Sequence, residues 1–498
     1  MKRPVHLLLL VLLSIASCNN KQESTNSDNL PYQETWESVS NYPKAPDFFL
    51  DAKFGIYTHW GPVTVGTDHP DAVGRVQWYG KFMYDINSPT FTYHKERFGD
   101  QYKFGYKDVT KLFKGENFDA KEWADLFAKS GAKFAGPVAI HHDNYAMWDS
   151  EINPWNSMDQ MPKRDFTGEL AKEIKANGML FFASFHHSFA WDYFLESYQY
   201  DAADPTLKAL YCEPHTEHDP PSREFLENWA DMINEVVVKY EPDMIWFDFG
   251  LGKLIPDEYQ IKMFSGYYNW ASAKNKEVAV FHKHEKIQRY TGILDFERGR
   301  ADQLTKLPWL TDTSVGPWFH QPSHKYKTTN QLIDVFVDIV SKNGCLLLNV
   351  GPKVDGTIPE EAVKILTEMG EWLAMNGEAI YETRPWIKYG EGPAKMKGGG
   401  GFSEHKAPVN YSAKDIRFTR SKNEKTVYAI VLGWPENNEV NISSFTAEGG
   451  LNSETISKVS LLGSDARIEM SKTTEGVKIG LPEKKHCEHA FALKFELH

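Results

Sequence analysis

A (β/α)8-like barrel followed by a small antiparallel β-sandwich is the fold class this α/β sequence predicts. Three observations carry it. Short apolar runs alternate with amphipathic helical stretches from about residue 54 to residue 374. Each run is followed by a cluster of polar residues, many of them histidines, and after residue 386 the helical period gives way to short runs separated by Asn, Gly, Ser and Pro. Runs bounded by Pro or Gly read as strands buried on both faces of a parallel sheet, and in a barrel the residues beyond their C-terminal ends meet on one face. Short alternating runs between turn residues read as an antiparallel sandwich.

The first run, Phe54–Thr58, ends in His59-Trp60-Gly61, and Gln77-Trp78-Tyr79 follows in a loop rich in Gly, Asp and Pro. A helix over 118–131, capped by Asp119, leads to a strand over 132–140 and then to His141-His142-Asp143-Asn144. A helix over 165–177 feeds a strand over 179–184 that ends near His186-His187. The helix over 224–240 precedes Met244-Ile245-Trp246-Phe247, with Asp248 at the tip. A carboxylate there is placed for catalysis, or else caps the following helix. A strand over 278–281 leads to His282-Lys283-His284, and 292–296 leads into Asp295-Phe296-Glu297-Arg298. A helix over 332–340 closes at Asn343-Gly344, with the glycine as its cap, before a strand over 346–350, a turn, and a helix over 359–374.

The boundaries that follow are a leader at 1–17, a tether at 18–44, the barrel at 45–386 and the sandwich at 387–498. Lys2 and Arg3 precede an apolar core too short to span a bilayer, and Ile15-Ala16-Ser17-Cys18 has the form of a bacterial lipobox. That points to a lipidated Cys18 as the one membrane contact and to the envelope of a Gram-negative cell. Cys212, Cys345 and Cys487 are too widely spaced for a disulfide framework or a zinc site and read as packing residues. A net charge of −13 argues against a nucleic-acid partner. Aromatic content is high, with 15 Trp, 23 Tyr and 30 Phe, which suits stacking on the apolar faces of sugar rings. No phosphate-binding Gly-rich loop and no GxSxG elbow is present.

Two carboxylates on different loops are what glycoside hydrolysis requires. Asp248 fits the nucleophile, while Asp295, Glu297, Asp302 and the more distant Glu285 are open as the acid. The histidines offer a rival, a metal-dependent barrel hydrolase. Neighbours on a strand face opposite ways, so His141-His142 and His186-His187 supply two ligands poorly, whereas His282 and His284 could share a face.

The stretches FFLDAKFGIYTHWGP, WYGKFMY, AIHHDN, WNSMDQMPKRDFTGELAKEI, PDMIWFDFG and DIVSKNGCLLLNVGPKVDGTIPEEAVKILTEMGEWLAMNGEAIYETRPW resemble family 29 glycoside hydrolases, the retaining α-L-fucosidases, over about residues 45–386. The resemblance implies a catalytic barrel with an appended β-sandwich and no metal or organic cofactor. It implies Asp248 as nucleophile and Trp246 as a pocket aromatic, with His59, His141, His142 and Trp78 as sugar contacts. Trp60, His186, Lys283 and Trp318 join that expected set. Gln77 stands where the family has glutamate, and the family's pocket tyrosine after the fourth strand gives way to Phe182 or Ala183 with His186 nearby. Glu297 is the choice for the acid, following Asp295-Phe296 beyond a strand. The expected function is an exo-acting retaining α-L-fucosidase, releasing fucose or a fucose-configured sugar such as α-L-galactose from glycans. A non-catalytic carbohydrate-binding lipoprotein is the alternative.

Overall fold

Eight parallel strands close into a barrel in chain order: β1 (Phe54–Thr58), β2 (Phe134–Ile140), β3 (Leu180–Phe185), β4 (Met244–Phe247), β5 (Ala279–His282), β6 (Ile293–Asp295), β7 (Trp309–Ser314) and β8 (Gly344–Val350). The last pairs back onto β1. This computed structural model describes residues 30–396, 398–406 and 408–498, so the expected leader and Cys18 lie outside the described residues. Burial on both strand faces explains the unbroken apolar runs. One face fills the barrel with Tyr57, Phe134, Phe182, Trp246, Phe281 and Leu347, and the other packs under the surrounding helices. Asp119 and Asp165 cap helices Ala120–Lys129 and Phe166–Ala176 by accepting backbone N–H groups in the first turn. Among the described residues no helix is long and apolar enough to cross a membrane.

Several expectations are corrected. The tether does not extend to residue 44: Tyr32 exchanges hydrogen bonds with Asn269, and Tyr42 stacks on Tyr268 at 3.9 Å between centroids. Gly344 is the first residue of β8 rather than a helix cap, and Asn343 takes the left-handed conformation instead (φ 75°). The boundary at 386 falls inside β9 (Thr383–Glu391), which pairs with the C-terminal sheet. β7 went unread because WLTDTS carries Thr and Asp where a buried strand is expected to be apolar.

The C-terminal unit adds β10 (Ile416–Ser421), β11 (Thr426–Val431), β12 (Glu439–Ile442), β13 (Ile456–Leu461), β14 (Glu469–Thr473), β15 (Gly476–Gly480) and β16 (Phe491–Leu497). They form an antiparallel five-stranded sheet, ordered β13-β16-β11-β10-β9, and a three-stranded sheet, β12-β15-β14. Trp386, Phe418, Phe445 and Phe495 meet edge-on or tilted in their shared core.

A buried ion cluster joins the two units. Asp338, on helix Thr329–Ser341, accepts from Arg417 of β10 at 2.6 Å and from Lys342 at 2.8 Å, with Arg300 at 3.6 Å. Burial would raise its carboxyl, but Lys342, Arg417 and Arg300 outweigh it and hold the group at about 2. Asp338→Ala strands three cations and is expected to lower unfolding free energy by about 3–5 kcal/mol in denaturant titration. A folded-state value below the unfolded one gives stability that is present above pH ~4 and lost as pH falls toward 2. The wild-type advantage over the variant should therefore shrink across that window.

Candidate active site

The strands deliver the site in sequence. His59 follows β1, His141 and His142 follow β2, His186 follows β3, Asp248 follows β4, Lys283 follows β5, Glu297 follows β6 and Trp318 follows β7. All eight, with Gln77, Trp78 and Trp246, line one cavity of about 900 Å³ at the C-terminal end of the barrel. Pockets of about 300–1,000 Å³ enclose whole drug-sized ligands, so a single sugar ring fills only the inner part.

Asp248 is the centre. It is 7% exposed and does not cap the helix that follows, whose N-cap position is Gly250. Its Oδ2 faces His186 Nδ1 at 3.1 Å and His142 Nε2 at 3.2 Å. Its Oδ1 lies 2.7 Å from Lys283 Nζ but accepts no well-directed hydrogen bond, so this contact is chiefly electrostatic. One oxygen is thus tied down and the other keeps a lone pair for the cavity. Burial would raise the Asp248 carboxyl, yet Lys283 and then the histidines overturn that and hold it well below the usual carboxylate range.

Lys283 also donates to Glu297 Oε2 at 2.7 Å and lies 4.9 Å above the Trp246 ring. The Asp248 and Glu297 oxygens it touches therefore stand at most twice 2.7 Å apart. That suits retaining glycosidases, whose two carboxyls are about 5–5.5 Å apart. Burial is the main cause that pushes the Glu297 carboxyl up, with Asp312 and Asp248 adding to it against the pull of Lys283. Two carboxyls driven in opposite directions are the pattern of a nucleophile and a proton donor.

His59 and His141 offer ring nitrogens to a polyhydroxylated ligand. His59 Nδ1 donates to Asn349 Oδ1 at 2.8 Å, which leaves Nε2 as an acceptor. His141 Nδ1 is buried without a partner. Burial pushes His59 and His141 well below the usual imidazole value and His186 down to about 4. His141 and His142 both reach the cavity because β2 has ended at Ile140 and the loop turns through Asn144 in the left-handed region (φ 56°). Strand alternation therefore does not apply to them.

The structure brings most of the expected residues together, with clear exceptions. Trp60 points away from the cavity and packs among Phe113, Phe118, Trp123 and Phe166 behind the sheet, its Nε1 donating to Lys353 O at 2.8 Å. It is a packing residue, since His59 takes the inward direction at this strand end. His282 and His284 bond to backbone at Thr291 and Gly252, outside the cavity. Asp302 is also outside it. Glu285 and Asp295 both reach the lining, Asp295 being 3% exposed and accepting the Asp312 N–H at 2.9 Å. The sequence reading missed Asp312, which accepts from Tyr57 Oη at 2.9 Å and lies 3.7 Å from Lys283. It also missed Asn349 and the returning segment 400–405; only alternation within β7 could have revealed the first.

Among the described residues two groups have ligand atoms within 4.8 Å of one another, His59/His141/His186 and His142/His186/Asp248. The Lys283 ammonium beside Asp248 already supplies a fixed cation there, which disfavours a dication on that carboxylate.

Residues 18–378 match the sequence family described as alpha-L-fucosidase, and residues 410–496 match the alpha-L-fucosidase C-terminal domain. Rat tissue alpha-L-fucosidase is 30% identical over 464 residues, covering 91% of this chain and 89% of its own. Human plasma alpha-L-fucosidase is 27% identical over 484 residues, covering 93% and 92%. The crystal structure of Thermotoga maritima alpha-fucosidase in complex with fucose superposes with a TM-score of 0.73 at 29% identity, over 93% of this chain and all of that one. With barrel, sandwich and paired carboxyls in place, the chain belongs to the alpha-L-fucosidase family.

Proposed function

We propose that this chain is an exo-acting α-L-fucosidase that works by double displacement with retention, on terminal α-L-fucose or a sugar of the same configuration. The observation that carries the reading is the pair of carboxyls, Asp248 and Glu297, bridged by one lysine in the cavity at the C-terminal end of the barrel. Asp248 Oδ1 attacks the anomeric carbon as the glycosidic bond breaks, and the Glu297 proton passes to the departing oxygen. Glu297, now ionised and held by Lys283, takes a proton from water as that water attacks the same carbon and releases Asp248. His59 and His141 hold ring hydroxyls, whereas His142, whose ring nitrogens meet Asp248 Oδ2 at 3.2 Å and the His186 carbonyl at 2.7 Å, positions the carboxylate instead. Gln77 offers a neutral amide, and Trp246, Trp78 and Trp318 form apolar walls.

Hydrolysis of 4-nitrophenyl α-L-fucoside, beside the α-L-galactoside and β-D-galactoside, tests this. The fucoside is expected to be turned over, with or without a chelator. Loss of activity in chelator, restored by metal, would favour the metal-dependent reading that the histidine groups support. Fucoside binding without turnover of either nitrophenyl or natural fucosides would favour a binding protein, the reading that Gln77 motivates.

The lipobox at Cys18 supports a lipid-anchored form in a Gram-negative envelope. Metabolic labelling with a fatty-acid probe should mark the wild type and not Cys18→Ala.

A further inference from the structure

The outer half of the cavity is built by two segments that clamp each other. Beyond Glu297 the chain runs antiparallel to residues 400–404, with Phe402 N donating to Glu297 O at 2.6 Å, Glu404 N to Arg298 O at 2.8 Å and Gly400 N to Arg300 O at 3.0 Å. The stretch read as a linker thus returns from the C-terminal unit to wall the mouth of the barrel. Phe402, 44% exposed, and His405 line the outer cavity with Arg75 and His324.

Arg298 stands out within this wall. Its backbone is in the left-handed region (φ 43°), which an arginine occupies only when its surroundings enforce it, and the Asp312 and Glu404 backbone bonds do so here. Its guanidinium lies 4.4 Å over the Trp318 ring, and its side chain is only 14% exposed. The residue lines the cavity, and among the described residues no hydrogen bond engages the five N–H donors of its guanidinium. The nearest carboxylate, Glu404, is 4.0 Å away and is already held by Lys327 at 2.5 Å and Thr313 at 2.6 Å. Glu297 is held by Lys283. The Arg298 charge is therefore not matched by a hydrogen-bonded partner, although the chain as a whole is acidic. A planar guanidinium, fixed on an aromatic face with its donors open, matches the paired oxygens of a carboxylate or sulfate.

We propose that the outer cavity is a leaving-group subsite for a sugar bearing an anionic substituent, a carboxylate or a sulfate ester, and that Arg298 recognises it. The proposal rests on the fucosidase reading of the inner cavity.

The test is calorimetric titration of the full-length Asp248→Asn variant with three matched disaccharides, α-L-fucose on galactose, on galacturonic acid and on a galactose sulfate ester. At low ionic strength at least one charged disaccharide should bind about tenfold tighter than the neutral one, as a charge-assisted pair implies. The gap should narrow in about half-molar salt. Adding Arg298→Gln should remove the gap, whereas Arg298→Lys should keep part of it. Preference for one anion identifies the substituent. Equal affinity for all three, or a gap that survives Arg298→Gln, overturns the proposal. If the glutamine variant does not fold, the salt dependence and the lysine variant still decide: a gap insensitive to salt, or undiminished by Arg298→Lys, counts against it. Turnover of the nitrophenyl fucoside by the unaltered chain, which involves no second sugar, reports separately on the inner cavity.

Discussion

Asp248→Ala should lower kcat for α-L-fucosides by about 10³–10⁵-fold, the loss expected when a covalent nucleophile is removed. The surroundings of the carboxylate prepare it for that role. His186 and His142 fix Oδ2 at 3.1 and 3.2 Å, while Oδ1 faces the cavity beside the Lys283 charge. The alanine leaves a space on the β face of the sugar that a small anion can enter. Azide should therefore restore turnover, and the product should be the β-fucosyl azide, inverted relative to the substrate. Recovery of α-fucosyl azide instead, or near-normal activity without azide, would remove Asp248 from the nucleophile's role. The sign of the pH dependence follows from the same contacts. Because Asp248 is held well below the usual carboxylate range, the acid limb of kcat/KM should fall below pH ~4.

The residues legible in the sequence were those whose position follows from one local rule. Asp248, Lys283 and Glu297 come within two residues of a strand end, and a parallel barrel sends such residues to one face whatever the loop lengths. Trp60 shows the limit of that rule: one residue beyond His59 the chain has turned, and an aromatic expected against sugar closes the outer layer instead. The His141-His142 pair shows the converse, since the strand had ended before them and alternation no longer applied. Asp312 was hidden because it sits within a strand, where a carboxylate is tolerated only beside Tyr57 and Lys283. Nothing local marks residues 400–405 as part of the mouth. Their place depends on backbone bonds to partners about a hundred residues earlier, and a glycine- and lysine-rich composition reads as a linker until those partners are known.

Glu297→Ala should separate the proton donor from its competitors. With a 4-nitrophenyl leaving group the first step needs little protonation, so the fall appears mainly in release of the sugar from Asp248. With a natural sugar leaving group both steps suffer, and kcat/KM should drop by about 10²–10⁴-fold, the usual span of general acid–base catalysis. Azide intercepts the covalent intermediate from the face that water would use, so rescue should give α-fucosyl azide, opposite to the Asp248→Ala product. The alkaline limb of the pH profile should vanish as well, because burial raises the Glu297 carboxyl and its ionisation ends the acid's role. Asp295 is the control. It lines the same cavity but accepts the Asp312 backbone N–H, and burial and Asp312 push it well above the carboxylate range. Asp295→Asn should then change stability or substrate affinity without azide rescue; rescue there and none at Glu297 would transfer the acid's role. Lys283, by touching both carboxyls, makes the two assignments depend on one another. Lys283→Met should raise the Asp248 value and so shift the acid limb toward higher pH, while its loss at Glu297 shifts the alkaline limb the same way.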